Sequence, residues 1–344
     1  MVDRSSRIVV AGAGSIGCYV GGCLALAGRP VKLLLRPALA DAIARNGLRI
    51  SDLEGADRTL PASSIGIETD GRRALSGAAA VVVTVKGGDT AEMALLIARH
   101  APADAVVISL QNGAGNIETL RLSLGESRRI VPGMVPFNVV QARDGGPVPH
   151  FHRATSGTLL IGSGVPGLHE MLDVPGFALA ERGDMAGVLW GKLLINLNNA
   201  LNALAGIPLA EELADRRWRR LLAAQVNEAL GVLKAARIRP AAIEGVPARA
   251  VPFILRLPDA LFRRVARRML AVDPQARSSM WEDLVRGRAT EIDYLQGAIL
   301  ALARAAGVEA PLTQRISSLV KRAEAARAGS PGLTPDAITG GTAI

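Results

Sequence analysis

For its first half the chain alternates short, wholly apolar runs with longer stretches of helical period, and then the strands stop. Arg7 to Ala11 reads as a buried strand that leads into Gly12-Ala13-Gly14-Ser15-Ile16-Gly17, and a second apolar run, Val31 to Leu35, ends at Arg36. Short continuous apolar runs bounded by turn formers fit parallel strands buried on both faces. The pattern recurs at Ala78 to Val85 (followed by Lys86-Gly87-Gly88), at Val106 to Leu110 (followed by Gln111-Asn112-Gly113) and at Ile130 to Val135. Helices are expected at 37–46, stopped by Gly47, and at 90–101, stopped by Pro102. Alternating polar and apolar positions over 48–67 predict short antiparallel strands, and a hairpin is expected from 147–152 and 157–161.

From about Asp184 the apolar period becomes helical, over 185–205, 211–236, 258–271, 290–306 and 314–328. The last stretch, 329–344, is rich in Gly, Pro, Ser and Thr and reads as a mobile tail. The expected organisation is therefore an α/β Rossmann-type dinucleotide-binding domain over 1–183, an all-helical domain over 184–328, and the tail.

Strand, glycine turn, helix and strand in that order form a βαβ dinucleotide-binding unit. Gly12 suits the tight turn, Gly14 lets backbone approach a pyrophosphate, and Gly17 lets the helix pack on the sheet. The helix beginning at Ser15 offers unpaired N–H groups to phosphate. NAD sites usually place Asp or Glu at the end of the second strand to bind the ribose 2′-hydroxyl; here the position holds Arg36, which suits the 2′-phosphate of NADP(H). Lys86 and Asn112 also end buried strands, where ligands of such sheets sit, although Lys-Gly-Gly and Asn-Gly are also ordinary turn sequences.

Composition narrows the class. At 344 residues and 49% hydrophobic the chain can bury two cores, and no apolar run reaches the ~18 residues of a membrane span. Asp3 and Arg4 run into the first strand without a signal segment, so a cytoplasmic location is expected, with no membrane partner. Cys18 and Cys23 have no other cysteine to pair with; neither a disulfide framework nor a metal site is expected, and both read as small buried residues. The net charge of +9 gathers at Arg216-Arg217-Trp218-Arg219-Arg220 and at Arg263-Arg264 with Arg267-Arg268. These stripes suit nucleic acid or a solvated helix face. The second is favoured, since three Trp, two Tyr and five Phe give few stacking platforms.

Candidate chemistry lies in the helical half. Lys192, Asn196 and Asn199 fall on one arc of a very apolar helix, opposite Leu193, Leu197, Leu201 and Leu204. A lysine partly buried there becomes a proton donor near neutral pH; one reaching to solvent does not. Ser279 with Glu282, and Thr290 with Asp293, fit capping boxes, and such helix starts also suit a carboxylate substrate. A carboxylate at Glu291 could orient Lys192.

The ordered set of Gly12–Gly17, Arg36, Thr84-Val85-Lys86, Gln111-Asn112-Gly113, Trp190-Gly191-Lys192 with Asn196, Ser278-Ser279-Met280 and Thr290-Glu291-Ile292-Asp293-Tyr294 resembles the ketopantoate reductase family over nearly the full length. The resemblance implies a Rossmann domain joined to a helical domain like the C-terminal domain of 6-phosphogluconate dehydrogenase, with a small 2-oxo acid held in the cleft between them. It implies NADPH-dependent reduction of 2-dehydropantoate to (R)-pantoate, toward pantothenate and coenzyme A, with a homodimer as an open possibility. By the same likeness Lys192 gives the proton and Glu291 supports it near the cofactor. Asn196 and Ser279 hold substrate, and Lys86 and Asn112 line the nicotinamide side. The chain departs from the family at Ala200-Leu201, Ala276 and Gln296, with Asn199 or Asn202 standing in for the first lost amide. Those departures leave open a different 2-oxo acid; a non-catalytic NADP(H)- or nucleic-acid-binding protein ranks below both.

Overall fold

In a computed structural model of the chain, residues 2–142, 145–242, 245–266 and 275–341 are described. The chain divides into two units, Met1–Met185 and Ala186–Ile344. The first is built on twelve strands among the described residues: β1 Ile8–Ala11, β2 Val31–Leu34, β3 Leu48–Asp52, β4 Asp57–Leu60, β5 Gly66–Glu68, β6 Ala80–Val83, β7 Val106–Ser109, β8 Ile130–Met134, β9 Val139–Ala142, β10 His150–Arg153, β11 Thr158–Gly162 and β12 Ala178–Arg182. Eight form one sheet in the order β12-β11-β8-β7-β6-β1-β2-β5. From β5 through β8 every neighbouring pair is parallel, and the order is that of a doubly wound dinucleotide-binding sheet.

Burial on both faces explains the continuous apolar runs. Side chains of a strand point alternately to opposite faces. Ile8 and Val10 of β1 accordingly join the core that includes Cys18, Tyr19 and Leu24 of the helix Ser15–Leu26, while Val9 and Ala11 join the one with Ala94, Ile97 and Leu120. Both cysteines are buried in the first core, as expected of small apolar residues. Each such Val or Ile contributes roughly 1.5–3 kcal/mol by leaving water.

A second sheet, β4-β3-β10-β9, corrects two expectations. β3 and β4 are antiparallel, but β5, at the end of the alternating stretch, leaves them to pair parallel with β2. β10 and β11 do not form a hairpin. β10 pairs with β3 and β9, while β11, with Leu159 and Ile161 buried in the main core, pairs with β8 and β12. The small sheet is tied to the first helix through Arg153, whose Nε donates to the Tyr19 hydroxyl at 3.2 Å and whose guanidinium pairs with Asp52 and Glu54.

Among the described residues the elements of the second unit are all helices. The expected helix over 185–205 is two, Met185–Asn196 and Asn198–Ala205, and at the break the Leu197 carbonyl accepts a hydrogen bond from Gln296 Nε2 at 2.9 Å. The helix expected over 211–236 is also two, Leu209–Ala214 and Arg216–Ala235, because Asp215 caps the second through Arg217 N at 2.8 Å. The helix expected to begin at Thr290 begins at Gln296, after a turn. Of the helix expected over 258–271, Asp259–Val265 forms, and Arg267, Arg268 and Leu270 lie outside the described residues. Among the described residues no helix is long and apolar enough to cross a membrane.

The arginine clusters are partly structural. Arg219 is fully buried, donates to the Leu257 carbonyl at 3.0 Å, pairs with Asp259 and lies 4.1 Å from the Phe262 ring centroid, while Arg217 pairs with Asp215. The expected mobile tail is also corrected over its described part. Leu333 N donates to the Leu204 carbonyl at 2.8 Å, Thr334 caps the helix Pro335–Thr339, and Ile338 is fully buried. One buried isoleucine with a capped turn outweighs a loop-like composition. Ile338→Ala should therefore destabilise the helical unit by about 2–4 kcal/mol, read as a lowered urea midpoint; an unchanged midpoint would mean the tail contributes nothing.

Candidate active site

The parallel register of β1, β2, β6 and β7 brings their carboxyl ends to one edge, and with them the glycine turn, Arg36, Lys86 and Asn112. The turn is shaped by close contacts. Gly12 sits at φ +77°, where a side chain would meet Val85 Cγ1 at 2.0 Å, and a Cβ on Gly17 would lie 2.5 Å from Thr84 Oγ1. Gly14 differs: a Cβ there would meet nothing within 4 Å. The protein's own packing does not demand glycine at 14, and the absence of a side chain leaves the backbone there open to close approach.

The helix Ser15–Leu26 starts without a side-chain cap and without an acidic residue in its first turn. Its first backbone bond runs from Cys18 N to Gly14 O at 2.8 Å, which leaves the N–H groups of Ser15, Ile16 and Gly17 ahead of the ladder. Ala13 N is used by the Leu34 carbonyl at 3.0 Å, so Ala13 holds the turn against β2. An uncapped helix start beside an open glycine fits a pyrophosphate.

Arg36 lies just past β2, largely in water, with Nη2 3.7 Å from Asp89 Oδ2. Lys86 and Asn112 are exposed. Beneath them runs a buried polar network that the motif reading missed. Ser109 Oγ donates to Gln111 Oε1 at 3.1 Å, Gln111 Nε2 donates to Thr90 Oγ1 at 2.6 Å and to the Val85 carbonyl at 3.1 Å, and Thr90 Oγ1 donates to Asn116 Oδ1 at 3.0 Å. These bonds lock the ends of β6 and β7 together and so fix the loops carrying Lys86 and Asn112. The signal was present in Gln111, a polar residue directly after a buried strand.

In the helical unit Lys192 and Asn196 lie four residues apart on the helix Met185–Asn196, hence on one face. The break at Leu197 puts Asn199 on the next helix, Asn198–Ala205. Lys192 keeps some accessible surface, yet it is crowded by protein, and desolvation pushes its pKa down to about 8. Glu291 opposes that shift electrostatically, favouring the ammonium. Glu291 stands in the turn before the helix Gln296–Ala306, where its carbonyl accepts from Tyr294 N at 3.0 Å and Leu295 N at 3.1 Å. The turn is anchored on both sides of Glu291: Thr290 N donates to Glu324 Oε1 at 2.6 Å, and Lys321 pairs with Asp293 at 2.6 Å. Thr290 Oγ1 accepts from Ile292 N, so the expected Thr290–Asp293 box is not formed.

The expected Ser279 cap is displaced by one residue. Ser278 caps the helix Ser279–Val285 through Trp281 N at 3.1 Å, and Ser279 is exposed. Ser278 is buried; its hydroxyl donates to the Asn199 carbonyl at 2.9 Å and its N–H to Asn202 Oδ1 at 2.8 Å. Asn202 Nδ2 donates in turn to Glu212 Oε2 at 2.6 Å, and burial pushes the Glu212 pKa up to about 7. Asn202 thus supports the Ser278–Ser279 turn from beneath. Two departures from the family pattern, Ala200 and Gln296, are fully buried, and the Ala276 carbonyl accepts from Leu209 N at 2.9 Å. Among the described residues no group of three or more His, Cys, Asp or Glu could hold a metal ion.

Residues 8–165 match the family described as ketopantoate reductase PanE/ApbA, and residues 184–324 match its C-terminal domain. A 2-dehydropantoate 2-reductase of Pyrococcus horikoshii is 29% identical over 94% of this chain and 99% of its own length. The crystal structure of a PanE/ApbA family ketopantoate reductase from Ralstonia eutropha is similar at 28% identity and a TM-score of 0.79, covering 93% of this chain and 99% of that one. A D-mandelate dehydrogenase solved with NADH and anilino(oxo)acetate shares the fold, at 22% identity and a TM-score of 0.74 over 93% of this chain and 99% of its own. With two successive domain matches covering most of its length, the chain belongs to the ketopantoate reductase PanE/ApbA family of oxidoreductases.

Proposed function

We propose that this protein reduces 2-dehydropantoate to (R)-pantoate with NADPH, a step toward pantothenate and coenzyme A. The observation that carries the reading is Lys192, an amine whose pKa is brought to about 8 beside an opposing carboxylate. Such an ammonium is protonated at neutral pH yet acidic enough to release its proton. The names of the relatives, 2-dehydropantoate 2-reductase, support the substrate.

The glycine turn with the start of the helix Ser15–Leu26 would hold the pyrophosphate, and Arg36 the 2′-phosphate of the adenosine ribose. The chemistry that a reduced nicotinamide held there would supply is a hydride for the substrate's carbonyl carbon. Lys86 and Asn112 serve on the same nucleotide-binding edge, held by the Gln111 network. Lys192 Nζ donates its proton to the carbonyl oxygen as negative charge grows there, so its ion–dipole attraction is strongest in the transition state. Glu291 keeps Lys192 charged against the cost of burial. Asn196, Asn199 and Ser279 offer neutral hydrogen bonds to the substrate's carboxylate and hydroxyl. Steady-state assays with NADPH and a panel of 2-oxo acids test the substrate. The highest kcat/KM is expected for 2-dehydropantoate, and a larger value for another member would replace it.

Lys192→Ala should lower kcat by about 10²–10⁴-fold with the Kd for NADPH unchanged; wild-type turnover would remove the proton-donor role. Since the donor must be protonated, kcat should fall as pH rises through about 8. Glu291→Gln removes the charge that raises the Lys192 pKa, so this alkaline limb should move to lower pH. A limb that stays in place or moves upward would separate Glu291 from Lys192. Arg36→Ala should weaken NADPH about 10–100-fold by equilibrium titration and leave NADH within a factor of about two; equal losses would end the 2′-phosphate assignment.

A further inference from the structure

Arg36 follows β2 and Asp89 closes the turn after β6, and these two strands flank β1 on opposite sides. Their side chains nevertheless pair at 3.7 Å, spanning the width of the strand whose end carries the glycine turn. Both partners stay in water, with side-chain exposures of 89% and 51%, so the pair is weak and open to competition. Asp89 precedes the helix Thr90–His100, and its side chain makes no capping bond to it.

We propose that Asp89 sets the nicotinamide-cofactor preference by competing with the 2′-phosphate for Arg36 and by accepting a hydrogen bond from the free 2′-hydroxyl of NADH. The inference rests on the nucleotide reading above. A dinucleotide carrying a 2′-phosphate must displace or share Arg36 with a carboxylate and approach a like charge. One lacking the phosphate meets instead an acidic group of the kind that NAD sites place at the end of the second strand, here supplied from the neighbouring turn. The chain therefore discriminates less between the two cofactors than Arg36 alone would make it.

Equilibrium fluorescence titration of the full chain with NADPH and with NADH, at about 0.05 M salt, tests this. Asp89→Asn should tighten NADPH about threefold to tenfold and weaken NADH, and the gain for NADPH should shrink at high salt as screening increases. A preference ratio within twofold of the wild type, or equal tightening of both nucleotides, overturns the proposal. Thermal unfolding without nucleotide should give the same Tm for variant and wild type, which excludes a folding effect. If the wild type binds neither dinucleotide, the functional reading falls as well; if it binds NADPH and the ratio does not move, only the role of Asp89 falls.

Discussion

The close approach of one helix to one strand is the constraint on which the nucleotide-binding half is built. The helix Ser15–Leu26 lies so near β1 and its neighbours that a Cβ on Gly17 would touch Thr84 and Val10, and one on Gly21 would stand 2.6 Å from Leu33. Removing those side chains lets the helix start directly at the carboxyl end of β1, with its first N–H groups uncapped at the sheet edge. The same dense packing explains why the strands are wholly apolar: a parallel strand covered on both faces has no solvated side on which to place polar residues.

The helical unit solves a different problem, that of keeping polar side chains inside an apolar scaffold. Lys192 can be desolvated because Glu291 opposes the shift, and the Glu291 turn is held at Thr290 by Glu324 and at Asp293 by Lys321. The Ser278 turn is held by Asn202, and Asn202 by Glu212, a carboxyl that burial brings to a pKa of about 7. Several buried polar groups outside the Lys192–Glu291 pair therefore position backbone. A family motif scored position by position would count Gln296 as a departure and pass over Asn202, whereas each makes a specific bond to backbone.

Much of the first unit was legible because its determinants are local. Apolar runs of fixed length gave the strands β1, β2, β6 and β7, the glycine run gave the turn, and Arg36, Lys86 and Asn112 could be placed at strand ends from register alone. The misreadings came where partners are distant in sequence. Residues 147–161 look like a hairpin locally, yet β10 and β11 each find better partners in different sheets. Helix breaks at Leu197 and Asp215 follow from one tertiary hydrogen bond and one cap, neither of which periodicity registers. The Ser278 cap shifted the polar pattern by a single residue, and with adjacent serines composition does not choose between them.

By itself the sequence determined the class of each half and the glycine turn, since these depend on residue type, spacing and period, while the pairing of Lys192 with Glu291 came as an implication of the family resemblance. Tertiary structure alone decided that Lys192 is buried enough to hold a pKa of about 8, that Arg219 is spent inside the protein, and that Ile338 docks a segment whose composition suggests a free tail. Burial depends on what other parts of the chain come to cover a residue, and desolvation with neighbouring charge moves an ionisable side chain away from the behaviour its identity alone would give.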